Sequence, residues 1–347
     1  MKIELRRAAM TYQAPDGEVA ALQDVTFGVA DGEFVSIVGP SGCGKSTLLA
    51  LIAGIEHPSG GEVLVDGEPV RAPTGKAGLM PQRDQLFDWR TIWGNVTLGL
   101  EVRHENTPEH RGGVHDLLEQ YQLAGFARKL PNQLSGGMRQ RCALIRTLAT
   151  SPDVLLLDEP FSALDTYLRE RLQAEMRELL KSYGGPVLLV THSRDEAYRL
   201  CRSIAVMDQG SATPPRPTKE LFEDPHTVAA ANLTGCKNIS RAEKRGEHQL
   251  YAVDWGVTLS TAAVLHDGLC AVGVRAHDIL EEERHNRYAI VCGQPIEDPF
   301  ELTQPFTFAC QGDKKMLLWV KLQRREDYTP PKEVGIAPDK VLPLYEK

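Results

Sequence analysis

The sequence predicts an α/β domain built on a buried parallel sheet over residues 1–235, followed by a small β-rich domain over 236–347. Three observations predict it. Short, almost wholly apolar runs recur at residues 33–38, 154–158, 187–191 and 204–207, separated by stretches that read as helical. Continuous apolar strands suit a parallel sheet covered on both faces, whereas a half-exposed strand would alternate polar and apolar residues. Beyond residue 235 the texture changes to short strand-like runs with turns, at 249–253, 257–261, 269–274, 288–291, 306–310 and 315–322. That spacing is typical of a small barrel or sandwich.

Bulk composition sets the outer limits. With 347 residues, 42% hydrophobic and 25% charged, the chain is an ordinary globular protein, long enough for about two domains. Thirty-nine basic and 47 acidic side chains leave a net charge of −8, which argues against nucleic acid as a partner because phosphate contacts need a basic surface. Cys43, Cys142, Cys201, Cys236, Cys270, Cys292 and Cys310 form no CxxC pair. They read as reduced thiols of a cytosolic chain. The opening MKIELRRAAM has no apolar run behind its basic residues, so no signal peptide is expected. Nothing approaches the run of about 18 apolar residues that a membrane span requires. A membrane role would therefore come through a partner.

Taken in order, the strand at 33–38 opens into GPSGCGKST at 39–47, which matches GxxxxGK[ST], and a helical run follows at 48–53. Strand, loop and helix together are the context a phosphate-binding loop demands. Gly39, Ser41, Gly42, Cys43, Gly44, Lys45, Ser46 and Thr47 are the candidate ATP-binding residues. The glycines let backbone amides turn inward on phosphates, and the helix N-terminus adds partial positive charge. Lys45 is placed to reach the β- and γ-phosphates, and the Ser46 hydroxyl to hold Mg²⁺. Residues 84–150 read mostly helical. The run at 154–158 then delivers Asp158 and Glu159 to a strand end. There Asp158 supports Mg²⁺ through water, while Glu159 orients or deprotonates the attacking water. Residues 208–235 are turn-rich, with short helical segments at 218–222 and 227–233, and read as the connection to the second domain.

One further motif narrows the class. LSGGMRQ at 134–140 resembles the signature of ABC transporter ATP-binding subunits, and it stands before the Val154 strand as in that family. The resemblance implies that Ser135, Gly136, Gly137 and Gln140 cradle the ATP held on the other protomer's loop, so that a head-to-tail homodimer sandwiches two ATP molecules. It further identifies Gln82 as the glutamine that touches Mg²⁺ and water, Asp165 in Ser-Ala-Leu-Asp as the interface loop, and His192 as the γ-phosphate switch. By itself a histidine at a strand end fits a structural role, so the His192 assignment rests on the resemblance. Tyr12 resembles the aromatic that stacks on adenine, although an N-terminal tyrosine equally suits strand packing. The implied catalytic set is Glu159, His192 and Gln82; the implied Mg²⁺ set is Ser46, Gln82 and Asp158.

The resemblance covers about residues 1–235 and implies a RecA-like core with antiparallel β and helical subdomains. The C-terminal region would be an OB/TOBE-like barrel that regulates or dimerises. Partners would be integral membrane permease subunits and, indirectly, an extracytoplasmic solute-binding protein, placing the chain on the cytoplasmic face of the cell membrane. Phe87, Trp89 and Trp93 follow Gln82 and suit either an interface anchor or core packing. Residues 89–96 are similar to nitrate, taurine and alkylsulfonate import ATPases. Residues 191–201, 234–240 and 272–278 are similar to molybdate and sulfate import ATPases. The expected cargo is therefore an oxyanion, molybdate or tungstate first and sulfate next. A soluble ABC ATPase acting on DNA or ribosomes, a P-loop kinase and an exporter are the rival readings.

Overall fold

A computed structural model describes the chain except residues 16, 163, 165, 298–300, 311–315, 324–327 and 347. Packing divides it into two units, Met1–Thr218 and Lys219–Lys347.

In chain order the first unit runs β1 (Ile3–Ala14), β2 (Gly17–Val29), β3 (Phe34–Val38), α1 (Lys45–Ile52), β4 (Gly60–Val65), β5 (Glu68–Pro69) and β6 (Ala77–Met80). A helical stretch follows: α2 (Ile92–Val96), α3 (Leu98–Val102), α4 (Pro108–Gln120) and α5 (Gly136–Leu148). The unit closes with β7 (Val154–Asp158), α6 (Thr166–Ser182), β8 (Val187–Thr191), α7 (Arg194–Leu200), β9 (Ser203–Asp208), β10 (Ser211–Ala212) and β11 (Arg216–Pro217). An antiparallel sheet has the order β2-β1-β4-β5, and a larger sheet the order β10-β9-β3-β8-β7-β6, with β11 also on β9.

The apolar runs are the parallel core of that larger sheet. Val38 pairs with Thr191 and with Val206, Asp158 with Val190, and Met80 with Leu157, all in parallel register. Every residue of β7 and β8 is buried. On β7, Val154 and Leu156 join the cluster that holds Leu48 and Leu49 of α1, whereas Leu155 and Leu157 join the one that holds Ile92, Val96 and Leu118. Alternate side chains thus enter opposite cores, which is why the strand has no polar face. The register also aligns the carboxyl ends of β3, β6, β7 and β8, where open α/β sheets gather their functional loops.

Two boundaries differ from the sequence expectation. Helix α1 starts at Lys45, because Gly44 at φ 103° forms its N-cap. In the region expected to be mostly helical, the first helix starts only at Ile92, behind an irregular segment.

The second unit begins within α8 (Thr218–Glu223), continues through α9 (Val228–Leu233), and then, among the described residues, its regular structure is β apart from one short turn of 3₁₀ helix: β12 (Asn238–Lys244), β13 (Gln249–Ala252), β14 (Val257–Ser260), β15 (Leu269–Val274), β16 (Ile279–Leu280), β17 (Tyr288–Cys292), β18 (Ile296–Glu297), β19 (Glu301–Phe308), β20 (Leu318–Gln323), β21 (Glu333–Ile336) and β22 (Leu342–Tyr345). Its sheets have the orders β14-β13-β12-β15-β22 and β16-β21-β17-β19-β18, with β20 on β19. They share a core around Trp255, Phe306 and Phe308, whose two phenylalanine rings meet edge to face at 5.6 Å. Ala231 of α9 packs with Cys236, Leu342 and Leu344, so this helix belongs with the second unit's strands.

Candidate functional site

The loop after β3 is shaped by glycines that nothing larger could replace. A Cβ on Gly39 would lie 2.0 Å from the Met207 carbonyl oxygen, and one on Gly44 2.4 Å from that of Ala21. The chain can therefore turn tightly against β9 and β2 and enter α1 with its first amides free to point at an anion. Lys45 is buried at 6% exposure. Its Nζ donates to the carbonyl oxygens of Gly39 at 2.9 Å and Pro40 at 2.7 Å, with Cys43 Sγ at 3.8 Å. The ammonium is thus held in the mouth of the loop by two charge-assisted hydrogen bonds to backbone carbonyls.

The two carboxylates after this loop differ in kind. Asp158 is buried, and burial pushes its carboxyl above the ordinary range while a hydrogen bond from Ser46 pulls the other way. Glu159 sits one residue past the strand with φ 47°, a left-handed conformation that costs a non-glycine residue about 1–2 kcal/mol. Its amide donates to the Val190 carbonyl at 2.9 Å, which fixes that turn against β8. The consequence is where the side chain goes. Glu159 Oε2 accepts a hydrogen bond from Gln82 Nε2 at 3.1 Å and lies 3.2 Å from His192 Nδ1. Three residues far apart in sequence meet at one oxygen, because β6, β7 and β8 are neighbours in the sheet. A carboxylate held by an amide and an imidazole is an oriented base, able to align a water and take its proton.

Ser46, Asp158 and Gln82 offer hard oxygen donors at the same edge. Among the described residues no group of three or more His, Cys, Asp or Glu side chains could hold a metal. A divalent ion here would therefore share its coordination with phosphate and water, the way Mg²⁺ usually binds.

Ser135 caps α5, accepting from the Met138 amide at 3.3 Å, so the Gly136 and Gly137 amides open that helix, with Gly136 exposed and Gly137 buried. Gln140, about one turn further along α5, is buried and lines a small cavity with Met80, Pro160 and Phe161. Tyr12 is half-buried on β1 and packs against the cluster that includes Cys43. Asp165 falls outside the described residues.

Several contributors escaped sequence reasoning. Arg146 donates to the carbonyls of Gln85 at 2.8 Å and Asp84 at 2.9 Å, and Arg139 Nε meets Asp84 Oδ2 at 3.1 Å, so α5 grips the segment after Gln82. Asn95, fully buried, accepts from the Phe87 amide at 2.8 Å and donates to the carbonyls of Phe87, Arg90 and Thr91. It holds the loop on which Phe87 and Trp89 face each other at 4.8 Å, with Trp89 77% exposed. Thr191 and Glu196, around His192, are the third group; the Ser-x-x-Glu spacing at Ser193 and Glu196 was the available signal, since it marks a helix start.

Comparison with known proteins bears on the whole site. Residues 22–162 match the family model described as ABC transporter. A taurine import ATP-binding protein of Pseudomonas aeruginosa is 44% identical over 216 residues, 62% of this chain and 81% of that protein. A sulfate/thiosulfate import ATP-binding protein of Caulobacter vibrioides is 36% identical over 274 residues, 77% of this chain and 80% of that protein. Among solved structures, the ATP-binding cassette MJ0796, dimeric and bound to ADP and Pi in a post-hydrolysis state, is similar with a TM-score of 0.57 at 31% identity, covering 62% of this chain and 98% of that one.

Proposed function

The chain belongs to the ABC transporter ATP-binding family, and from that premise we propose that it is the ATP-hydrolysing subunit of an oxyanion importer. The observation that carries the reading is the meeting of Gln82 and His192 on one oxygen of Glu159, at the sheet edge where the Lys45 loop opens.

Each residue then has a task. Lys45 exchanges the Gly39 and Pro40 carbonyls for the β- and γ-phosphate oxygens, and the loop amides with the α1 N-terminus hold the remainder. Ser46, Asp158 and Gln82 would hold Mg²⁺, which supplies charge neutralisation on the phosphates when bound. Glu159 aligns the attacking water and accepts its proton; His192 fixes that carboxylate and reports the γ-phosphate. Tyr12 stacks on adenine. In the homodimer Ser135, Gly136 and Gly137 close on the ATP of the other protomer, with Gln140 packed behind them, and Asp165 crosses the interface. The domain division proposed is an ATPase domain to residue 235 and a regulatory or dimerising domain beyond it.

Among the described residues no helix is long and apolar enough to cross a membrane, so the work would be delivered through permease subunits on the cytoplasmic face of the membrane. Exposed Trp89 beside Phe87 suits an anchor for them. An extracytoplasmic binding protein would present the cargo, with molybdate, tungstate or sulfate as the proposed class and nitrate, taurine or alkylsulfonates as the alternative.

Co-expression with a permease and its binding protein tests the reading. ATP turnover should rise when the binding protein is loaded with one of molybdate, tungstate, sulfate, nitrate or taurine, and a Glu159→Gln chain should bind ATP without turning it over. A wild-type ATPase indifferent to every loaded binding protein would remove the importer reading; normal turnover by Glu159→Gln would remove the assigned base.

A further inference from the structure

We propose that Glu196 is a positioning residue for ATP hydrolysis: through Thr191 it fixes the backbone that carries His192, and through Arg169 it ties that backbone to the Leu164 segment. The proposal rests on His192 and Glu159 acting together as described above.

The local geometry departs from the usual helix start. Ser193 is the N-cap of α7 and accepts from the Glu196 amide at 3.3 Å. In a capping box the Glu196 carboxylate would reach back to the Ser193 amide. Here Thr191 is inserted between them. The Ser193 amide donates to Thr191 Oγ1 at 3.0 Å, and the Thr191 hydroxyl donates to Glu196 Oε2 at 2.5 Å. The residues on either side of His192 therefore hang on one carboxyl group. His192 itself has a side chain 61% exposed, so packing does little to hold it, and its backbone must be held instead.

Glu196 is a costly way to do so. It is only 6% exposed, and burial pushes its carboxyl above the ordinary carboxylate range. A plain helix start would use an exposed glutamate at no such cost. The other end of the carboxyl explains the placement. Glu196 Oε1 lies 3.9 Å from Arg169 Nε on α6, and Arg169 Nη2 donates to the Leu164 carbonyl at 2.8 Å. Leu164 immediately precedes Asp165. Arg169 Nε is buried and makes no hydrogen bond among the described residues, so this link has room to tighten. The chain of contacts thus runs from Leu164 through Arg169, Glu196 and Thr191 to His192 and its oxygen on Glu159.

The full-length chain tests this with Thr191→Val, Glu196→Gln and His192→Ala, alone and combined, reading kcat, KM and ATP affinity. Thr191→Val should lower kcat about tenfold, part of the 10²–10⁴ that a positioned acid–base group contributes. KM and ATP affinity should stay within about twofold, since the phosphate loop is untouched. On the His192→Ala background neither Thr191→Val nor Glu196→Gln should lower kcat further. Unchanged kcat in both single variants, or losses that multiply with that of His192→Ala, would overturn the proposal. If Thr191→Val does not fold, the isosteric Glu196→Gln makes the same comparison. Wild-type kcat in His192→Ala would instead overturn the underlying assignment of His192, a result distinct from failure of the Glu196 proposal.

Discussion

Asp158 and Glu159 are adjacent, yet their surroundings treat them oppositely. Glu159 is turned out by its left-handed backbone to face Gln82 and His192, while Asp158 stays at the buried strand end with Ser46. The Asp158 carboxyl is held above its ordinary value chiefly by burial. A carboxyl whose native pKa is raised binds its proton more tightly folded than unfolded. Wild-type stability therefore falls as pH rises past the ordinary aspartate value of about 3.9, and flattens above the native value. Asp158→Asn carries no such charge. In urea titrations of the nucleotide-free chain, the variant should be more stable than wild type at pH 7, with the gap closing towards pH 4, although its ATPase is lost. A gap that runs the other way would mean that Ser46 and Lys45 outweigh burial. The identity of these two residues was readable from their place after an apolar run. The left-handed turn that separates their roles was not, because glutamate carries no signal for φ above zero.

At the scale of elements, the apolar runs announced the parallel strands because burial on both faces leaves no polar period to confuse. The antiparallel β1 and β2 were expected only through the family resemblance, and the residue pattern did not locate them, for the converse reason. Only Leu22, Val25, Phe27 and Val29 of β2 are buried, and the polar residues between them hide the strand. Residues 84–91 fall at the start of the stretch expected to be mostly helical, yet side chains fix them as a loop. Asn95 supplies four of its hydrogen bonds, and Arg90 locks onto Glu101 at 2.6 and 2.7 Å, which draws the Glu101 carboxyl below the usual range. Asn95→Ala takes the side-chain partner from the Phe87 amide and the Arg90 carbonyl, at about 1–3 kcal/mol, whereas the Phe87 and Thr91 carbonyls keep the amides of residues 90 and 95. Because the loop bears Phe87 and Trp89 and not the phosphate site, the isolated variant should hydrolyse ATP within about twofold of wild type. It should be retained poorly by the permease in pull-down. Full retention would place the docking surface elsewhere.

For the whole molecule, the sequence pattern distinguished two textures but not where packing would divide them. The turn-rich stretch 208–235 was read as the connection to the second domain, with the first domain drawn to residue 235. Ala231 instead enters a cluster with Leu342 and Leu344, and β22 returns to pair with β15. Long-range pairing of this kind leaves no local mark in composition. The first unit ends on a firm anchor: the Thr218 amide donates to the Arg202 carbonyl at 2.8 Å, and its hydroxyl to that of Cys201 at 2.8 Å. Both sheet-edge loops and both apolar clusters of the ATP site lie before it. A chain ended at Thr218 should therefore fold, bind ATP and hydrolyse it within about threefold of the full-length rate, a change of ~0.7 kcal/mol in barrier. The second unit has its own core around Trp255, and the shortened chain keeps both of its own apolar clusters. Steady-state ATPase and a thermal melt of the shortened chain decide this. A fragment that folds but has lost hydrolysis would show that turnover requires the C-terminal unit.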